Sequence, residues 1–161
     1  MTIEFILNGE DVQIKTEPNI RLIDILRKNF GLLGAKTGCC CGKCGICSVI
    51  INGAICQACL IPAFKIRECE IITIEGFSQT DDYADIISGF AQAKMYNCEY
   101  CRAGKILCAA ALLGRKEFPN KDEILAGFQG IKCRCTESDT LVEALTCSAQ
   151  MRQRRLYGRS S

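Results

Sequence analysis

The chain has 161 residues, and its 48% hydrophobic and 24% charged residues are typical of a globular protein rather than a disordered or fibrous one. A formal net charge of +2 gives no electrostatic argument for binding nucleic acid or a membrane surface. The first residues lack the basic and apolar segments of a signal peptide, and no apolar run reaches the roughly 18 residues of a membrane span. We therefore expect a cytoplasmic protein with no nucleic-acid or membrane partner.

Cysteine is the unusual component, with fourteen in the chain and no histidine at all. In a reducing compartment this content indicates metal binding or redox chemistry rather than disulfides. The absence of histidine leaves thiolates as the ligands of a metal site and weakens the case for general acid–base catalysis. We therefore predict no catalytic residue on this chain.

The first half of the sequence predicts a small mixed sheet with one helix. Alternating hydrophobic residues indicate strands, and Asn-Gly pairs at 8–9 and 52–53 are typical of tight hairpin turns. A loop rich in glycine and cysteine covers 31–47. The predicted segments are strands over 2–7 and 12–14, a helix over 19–30, a hairpin over 48–55 and a strand over 70–74.

The second half of the sequence has helical periodicity and predicts four helices. Asn120 with Glu123 indicates a capping box, and Ser138 is a candidate N-cap. The predicted helices are 81–95, 105–113, a segment from Asn120 to Gly127 or Gly130, and 138–146. We therefore expect an α+β chain of two domains, 1–77 and 78–161.

The C-terminal tail is basic. A frayed, solvated end is the favoured interpretation, and docking on an acidic partner surface is the alternative. Its arginines are Arg152, Arg154, Arg155 and Arg159.

The first cysteine motif combines a Cys-x4-Cys-x2-Cys loop with a fourth cysteine beyond a hairpin. This is the ligand spacing of plant-type [2Fe–2S] proteins, and glycines between the cysteines allow the loop to bend back. A zinc knuckle is the alternative, although zinc sites rarely use a glycine-punctuated loop. Cys40 could replace Cys39, but only Cys39 preserves the four-residue gap to Cys44. The predicted ligands are Cys39, Cys44, Cys47 and Cys59.

The second cysteine motif consists of two pairs, each just before a predicted helix. Helix N-termini favour thiolates and an anionic cluster, so the pairs can complete a four-thiolate site across a helical bundle. The spacing alone suits zinc equally well, and a first cluster in the same chain favours a second. Cys108 and Cys147 lie on apolar helix faces and are expected in the core. The predicted ligands are Cys98, Cys101, Cys133 and Cys135.

Four stretches of the sequence together resemble one family. They are Lys36-Thr37-Gly38-Cys39-Cys40-Cys41-Gly42-Lys43-Cys44-Gly45-Ile46-Cys47, Cys59-Leu60, Cys98-Glu99-Tyr100-Cys101 and Cys133-Arg134-Cys135-Thr136. Over roughly residues 2–148 the chain resembles the small iron–sulfur subunit of the molybdenum hydroxylases, the xanthine dehydrogenase and aldehyde oxidoreductase family. The resemblance implies an N-terminal β-grasp, plant-ferredoxin-like domain and a C-terminal four-helix domain, each with a [2Fe–2S] cluster.

The resemblance also implies partners and an electron path. In that family a large molybdopterin subunit hydroxylates an N-heterocycle or aldehyde, and a flavin subunit is usually present. Electrons pass from molybdenum to the helical-domain cluster, then to the ferredoxin-like cluster and on to FAD. The family has a glutamine that touches the pterin where this chain has Asn97, which makes Asn97 the implied cofactor-binding residue. Glu99 and Arg102 bring charges, solvated or paired, to a turn that is neutral in the family.

Two other functions compete with this one. A stand-alone two-cluster electron carrier or redox sensor would need no molybdenum partner. A zinc-stabilised interaction module would have no redox role. Iron content and visible absorbance separate zinc from iron, and co-purification separates the carrier from the relay subunit.

Overall fold

A computed structural model describes residues 1–96 and 98–158, so Asn97 and Arg159 lie outside the described residues. The described residues contain five strands and six α-helices. The strands are β1 (Thr2–Leu7), β2 (Glu10–Lys15), β3 (Ser48–Ile51), β4 (Ala54–Gln57) and β5 (Glu70–Ile72). The helices are α1 (Leu22–Lys28), α2 (Ile74–Phe77), α3 (Asp81–Gln92), α4 (Arg102–Arg115), α5 (Lys121–Phe128) and α6 (Ser138–Tyr157). Among them, no helix has the length and hydropathy to cross a membrane.

The strands form one mixed sheet in the order β2-β1-β5-β3-β4. Only β1 and β5 run parallel, and the other neighbours are antiparallel. Ile3, Phe5 and Leu7 of β1 are buried and alternate with exposed residues, as the sequence predicts. Both Asn-Gly turns have positive φ at both residues, which confirms the predicted hairpins.

Helix α1 is shorter than the predicted helix over 19–30. Its N-terminal side is held by the loop after β4, because Leu22 N donates to Ile61 O at 2.7 Å and Ala63 N donates to Ile20 O at 2.7 Å. At the other end Gly31 has a φ of 66°, and Leu32 N closes the turn on Leu26 O at 2.9 Å. Long-range backbone pairing and a C-terminal turn therefore set the length of this helix.

The strand predicted over 70–74 is wrong at its end. The backbone N–H of Thr73 donates to Asn8 Oδ1 at 2.8 Å rather than to a neighbouring strand. The chain then enters the short helix α2, in which Glu75 accepts from the Thr73 hydroxyl at 2.6 Å. The contact between Asn8 and Thr73, which are far apart in sequence, therefore sets the end of β5. The local sequence pattern gives no sign of this contact.

The helical half contains the four predicted helices, with differences at their ends. Helix α5 begins with the predicted capping box, since Asn120 Oδ1 accepts from Glu123 N and Glu123 Oε2 accepts from Asn120 N. The N-cap position of α6 is Glu137 rather than Ser138. Helices α3 and α6 pack closely at Gly89, where a Cβ would lie 2.2 Å from Ser148 Oγ.

The basic tail is the last part of α6, so the frayed end expected from the sequence is wrong up to Tyr157. Arg152 Nε lies 3.2 Å from Asp82 Oδ1, and Arg155 Nε lies 2.7 Å from Asp85 Oδ2. Arg155 also contacts Asp82. These pairs join the end of α6 to the start of α3, and the acidic partners belong to this chain.

The two halves of the molecule share part of one hydrophobic core. Ile46 and Ile50 from the sheet half pack in the same buried cluster as Phe90, Ile106 and Leu107 of the helices. A second cluster lies between the sheet and α1. The boundary between domains 1–77 and 78–161 stays a prediction, because the shared core crosses it.

Candidate iron–sulfur sites

The N-terminal cage comprises Cys39, Cys44, Cys47 and Cys59. Its first three members belong to the loop before β3, and Cys59 lies in the turn after β4, which the hairpin brings back to the loop. Cys39 and Cys44 are in contact, as are Cys47 and Cys59. The structure therefore brings the four predicted ligands into two contacting pairs, with Cys47 and Cys59 buried and Cys39 exposed.

Backbone donors in the loop point at Cys39. The N–H groups of Cys41 and Cys44 lower the pKa of Cys39 to about 6, and Lys43 N lies 3.2 Å from its sulfur. Burial raises the pKa of Cys47 to about 12, and the nearby Cys59 and Cys44 side chains add to this. A bound cation would stabilise the thiolate form of all four members.

The helical cage comprises Cys98, Cys101, Cys133 and Cys135. Cys101 is the N-cap residue of α4, and the other pair lies before α6. Cys98 Sγ lies 3.5 Å from Cys101 Sγ, which lies 3.6 Å from Cys133 Sγ, and Cys98 also contacts Cys135. Two thiolates on one tetrahedral metal ion lie about 3.8 Å apart, given metal–sulfur bonds of about 2.3 Å. The spacing of these sulfurs therefore suits metal ligands.

A buried lysine contributes to the electrostatics of the helical cage. Burial pushes the pKa of Cys133 upward, but the Lys105 ammonium and the Cys135 N–H outweigh it and hold this pKa at about 7. The N–H of Cys101 lowers the pKa of Cys98, whereas burial raises the pKa of Cys101 to about 12. As in the N-terminal cage, neighbouring thiols ionise one after another because each thiolate repels the next.

The two cages meet through a backbone contact. Lys132 N, one residue before Cys133, donates to Cys44 O at 3.0 Å. The contact requires glycine at position 45, where a Cβ would lie 2.2 Å from Gly130 O. Cys133 of the helical cage is thus connected to Cys44 of the N-terminal cage by covalent bonds and one hydrogen bond.

The donor set fits [2Fe–2S] clusters. Each cage offers four cysteines, which is the ligand set of such a cluster. Within residues 1–96 and 98–158, no group of three or more cysteine or carboxylate side chains is arranged to hold a single metal ion.

Comparison with known proteins agrees with this donor set. Residues 73–146 match the family described as a [2Fe-2S] binding domain. The small FeS subunit of nicotinate dehydrogenase from Eubacterium barkeri is 43% identical, over 84% of this chain and 87% of the relative. The iron-sulfur-binding subunit of xanthine dehydrogenase from Escherichia coli O157:H7 is 33% identical, over 90% of this chain and 92% of the relative. The structure of quinoline 2-oxidoreductase from Pseudomonas putida 86 matches with a TM-score of 0.84 and 34% identity, over 96% of both chains.

The fold and the matched domain define an iron–sulfur protein with an electron-transfer role. The extent of the similarity then defines the family. The chain belongs to the iron–sulfur subunits of the xanthine dehydrogenase and aldehyde oxidoreductase family, and it is a subunit within an oxidoreductase complex. The α+β fold class expected from the resemblance is confirmed by these structural matches.

Other predicted residues have varied outcomes. Cys108 and Cys147 are buried, as expected of core cysteines. Glu99 and Arg102 are paired at 3.5 Å. Lys105 is the group that sequence reasoning missed, because it stands at the start of a predicted apolar helix. Its position four residues after Cys101, one helical turn away, is the signal that could have placed it beside the cage.

Proposed function

We propose that this chain is the electron-transfer subunit of a molybdenum hydroxylase. It relays electrons from a molybdopterin centre on a large partner subunit to FAD or another acceptor. The N-terminal cage and the helical cage each hold one [2Fe–2S] cluster, and each cluster supplies one-electron redox chemistry when bound. The cysteines hold and orient the clusters, and no substrate site is assigned to this chain.

The observation that carries this proposal is the hydrogen bond from Lys132 N to Cys44 O, 3.0 Å long. Electronic coupling decays less steeply through covalent and hydrogen bonds than through space. A chain that joins Cys133 to Cys44 by such bonds is suited to passing electrons between two clusters. A zinc module would have no need of this connection.

The outer face of the helical cage is proposed to receive the electrons. Tyr96 and Tyr100 are exposed on either side of Cys98, and such aromatic side chains are enriched where proteins associate. We assign this surface to the molybdopterin subunit, with Asn97 as the residue that contacts the pterin. Electrons then pass from the helical cage to the N-terminal cage, whose exposed Cys39 marks the exit toward FAD.

We propose an N-heterocycle or an aldehyde as the substrate of the complex. The relative at 43% identity is a subunit of nicotinate dehydrogenase, and the matching structure is quinoline 2-oxidoreductase. Nicotinate and quinoline, the compounds in these two names, are both N-heteroaromatic, so we favour an N-heteroaromatic ring as the substrate. This choice concerns the partner subunit, where the substrate would bind.

Purification of the chain from its natural source tests the proposal. We expect a complex that contains molybdenum, a pterin and about four iron atoms per copy of this chain, because each of two clusters holds two. Adding an N-heteroaromatic substrate under anaerobic conditions should bleach the visible absorbance of both clusters. A coloured chain that purifies without a molybdenum subunit would instead support a stand-alone carrier, and a colourless chain that contains zinc would overturn both functions.

A further inference from the structure

Lys105 is a buried charge beside the helical cage. It lies in α4 one turn after Cys101, and only 2% of its surface is exposed. Lysine is almost never fully buried without a partner, because desolvating an ammonium group is costly unless an opposite charge compensates. The position of Lys105 therefore requires a counter-charge close by.

The immediate partner of Lys105 is a hydroxyl group. Lys105 Nζ donates to Thr136 Oγ1 at 2.6 Å, and Thr136 Oγ1 donates to Tyr96 O at 3.1 Å. In the described part of the chain, no aspartate or glutamate forms an ion pair with Lys105. A neutral hydroxyl satisfies one of the three N–H groups of the ammonium and leaves its charge uncompensated.

The start of α4 adds to the need for a negative charge. The first turn contains no acidic residue and begins with Arg102, so cationic side chains lie at the positive end of the helix dipole. Arg102 is paired with Glu99, which leaves Lys105 without a carboxylate. The Lys105 ammonium also contacts the Cys133 side chain. The helical cage, as an anionic thiolate site, is the counter-charge that fits.

We propose that Lys105 raises the reduction potential of the helical-domain cluster, an inference that rests on the proposed function. A cluster held by four thiolates is anionic, and reduction adds one further negative charge. A fixed positive charge stabilises the reduced form more than the oxidised form. In this step one electron enters the cluster from its donor.

The surroundings of Lys105 preserve the effect of its charge. A cavity of about 170 Å³ beside it has a mixed lining, with Gln129 and Ser138 as well as Leu125 and Phe128. Because Lys105 is almost fully buried, its charge is screened far less than a charge in water. The raised potential favours transfer into the helical cage and opposes transfer onward to the N-terminal cage. Lys105 thereby sets the balance of electrons between the two clusters.

The test is a redox titration of the isolated complex, with the two clusters followed separately by electron paramagnetic resonance. In K105M and K105Q we expect the equilibrium constant for reducing the helical-domain cluster, relative to the N-terminal cluster, to fall at least about tenfold, which is about 59 mV for one electron. K105R, which keeps the charge, should retain the original balance. The N-terminal cluster serves as the internal reference in each sample.

The matched control is K132M, which keeps the backbone N–H that bonds Cys44 O and removes only the charge of an exposed lysine directly next to Cys133. Because solvent screens this charge, we expect little change in K132M. Unaltered potentials in K105M and K105Q, with full iron content, would overturn the proposal. Loss of the helical-domain cluster from both variants would also overturn it, since Lys105 would then serve assembly. Iron for a single cluster in the unaltered protein would instead contradict the proposed function.

Discussion

Cys39 and Cys40 are neighbours in the first cysteine loop, and the backbone distinguishes them. The sulfur of Cys39 receives N–H groups from Lys43 and Cys44 at 3.2 and 3.3 Å. Cys40 has a φ of 54°, and its carbonyl accepts from Arg21 at 3.3 Å. The donors that stabilise an anionic sulfur are therefore directed at Cys39, which supports its assignment as the ligand.

Serine substitution at these two positions tests the assignment. In C39S we expect the plant-type cluster to be lost or strongly altered, because the loop donors have no thiolate to stabilise. In C40S both clusters should remain. Iron analysis and electron paramagnetic resonance measure the outcome, and loss of the cluster from C40S alone would show that Cys40 is the ligand.

Gly45 has two separate requirements, a left-handed backbone and space for a neighbouring chain segment. Its φ is 75°, and a Cβ would lie 2.2 Å from Gly130 O. Gly53 has a φ of 77°, and a Cβ there would meet nothing within 4 Å, so it shares only the first requirement. The two glycines form a matched pair for measuring the contact between the cages.

We expect G53A to cost about 1–2 kcal/mol, the usual penalty for a left-handed L-residue. G45A carries the same penalty and must also displace the segment at Gly130, so its unfolding temperature should fall further. Thermal unfolding followed by the visible absorbance of the clusters measures both variants. Equal decreases in unfolding temperature in the two variants would show that the segment at Gly130 can move aside without loss of stability.

Helix α5 shows how capping and charge combine within one element. Glu123 accepts from Asn120 N and pairs with Lys116 Nζ at 2.7 Å. The Lys116 ammonium, together with that N–H, lowers the pKa of Glu123. A carboxyl whose pKa is lower in the folded state stabilises the fold above its unfolded pKa of about 4.3, and this contribution fades as the pH falls.

Two variants test α5. N120A should lower the free energy of unfolding by about 1 kcal/mol at neutral pH, because it removes the N-cap acceptor. E123Q should unfold at a lower temperature than the unaltered protein at pH 7, and the difference should shrink as the pH falls below about 4.3. Acid effects on the clusters cancel in this difference, since both proteins hold the same ones. A difference that does not depend on pH would contradict a role for the charge of Glu123.

The same helices show what the sequence can and cannot predict. The capping box of α5 involves residues three apart, so the local pattern contains it. The end of α6 depends on Arg152 and Asp82, which are 70 residues apart, and no periodicity reveals their pairing. For that reason the tail is predicted as frayed and is in fact helical up to Tyr157. The burial of Lys105 likewise depends on Thr136, 31 residues away.

The whole molecule holds its two cages in a fixed relation. The shared core around Ile46, Ile50 and Phe90 crosses from the sheet to the helices, and Lys36 contacts the backbone of Glu99 beside the helical cage. Spacing in the sequence predicts the cysteine loop of the N-terminal cage because that motif is largely local, whereas the helical cage is predicted from the first cluster and the family resemblance. Sequence spacing gives no signal for the hydrogen bond between Lys132 and Cys44, because that bond forms only when the two halves of the chain pack together.

That contact leads to a prediction for the whole relay. Proline at position 132 has no backbone N–H, so K132P removes the hydrogen bond to Cys44 O, whereas K132A removes only the exposed side chain. We expect slower electron transfer between the two clusters in K132P and an unchanged rate in K132A. Rapid-freeze electron paramagnetic resonance after anaerobic mixing with substrate would measure how quickly each cluster is reduced.

Iron content and the resting spectra of both clusters show whether K132P retains its cages. With both cages intact, a slower rate in K132P assigns the coupling to the backbone hydrogen bond. Equal rates in K132P and K132A would show that electrons pass between the cages without it. In that case the close approach at Gly45 would be the next candidate for coupling the clusters, and G45A, which widens it, should then slow the transfer where G53A does not.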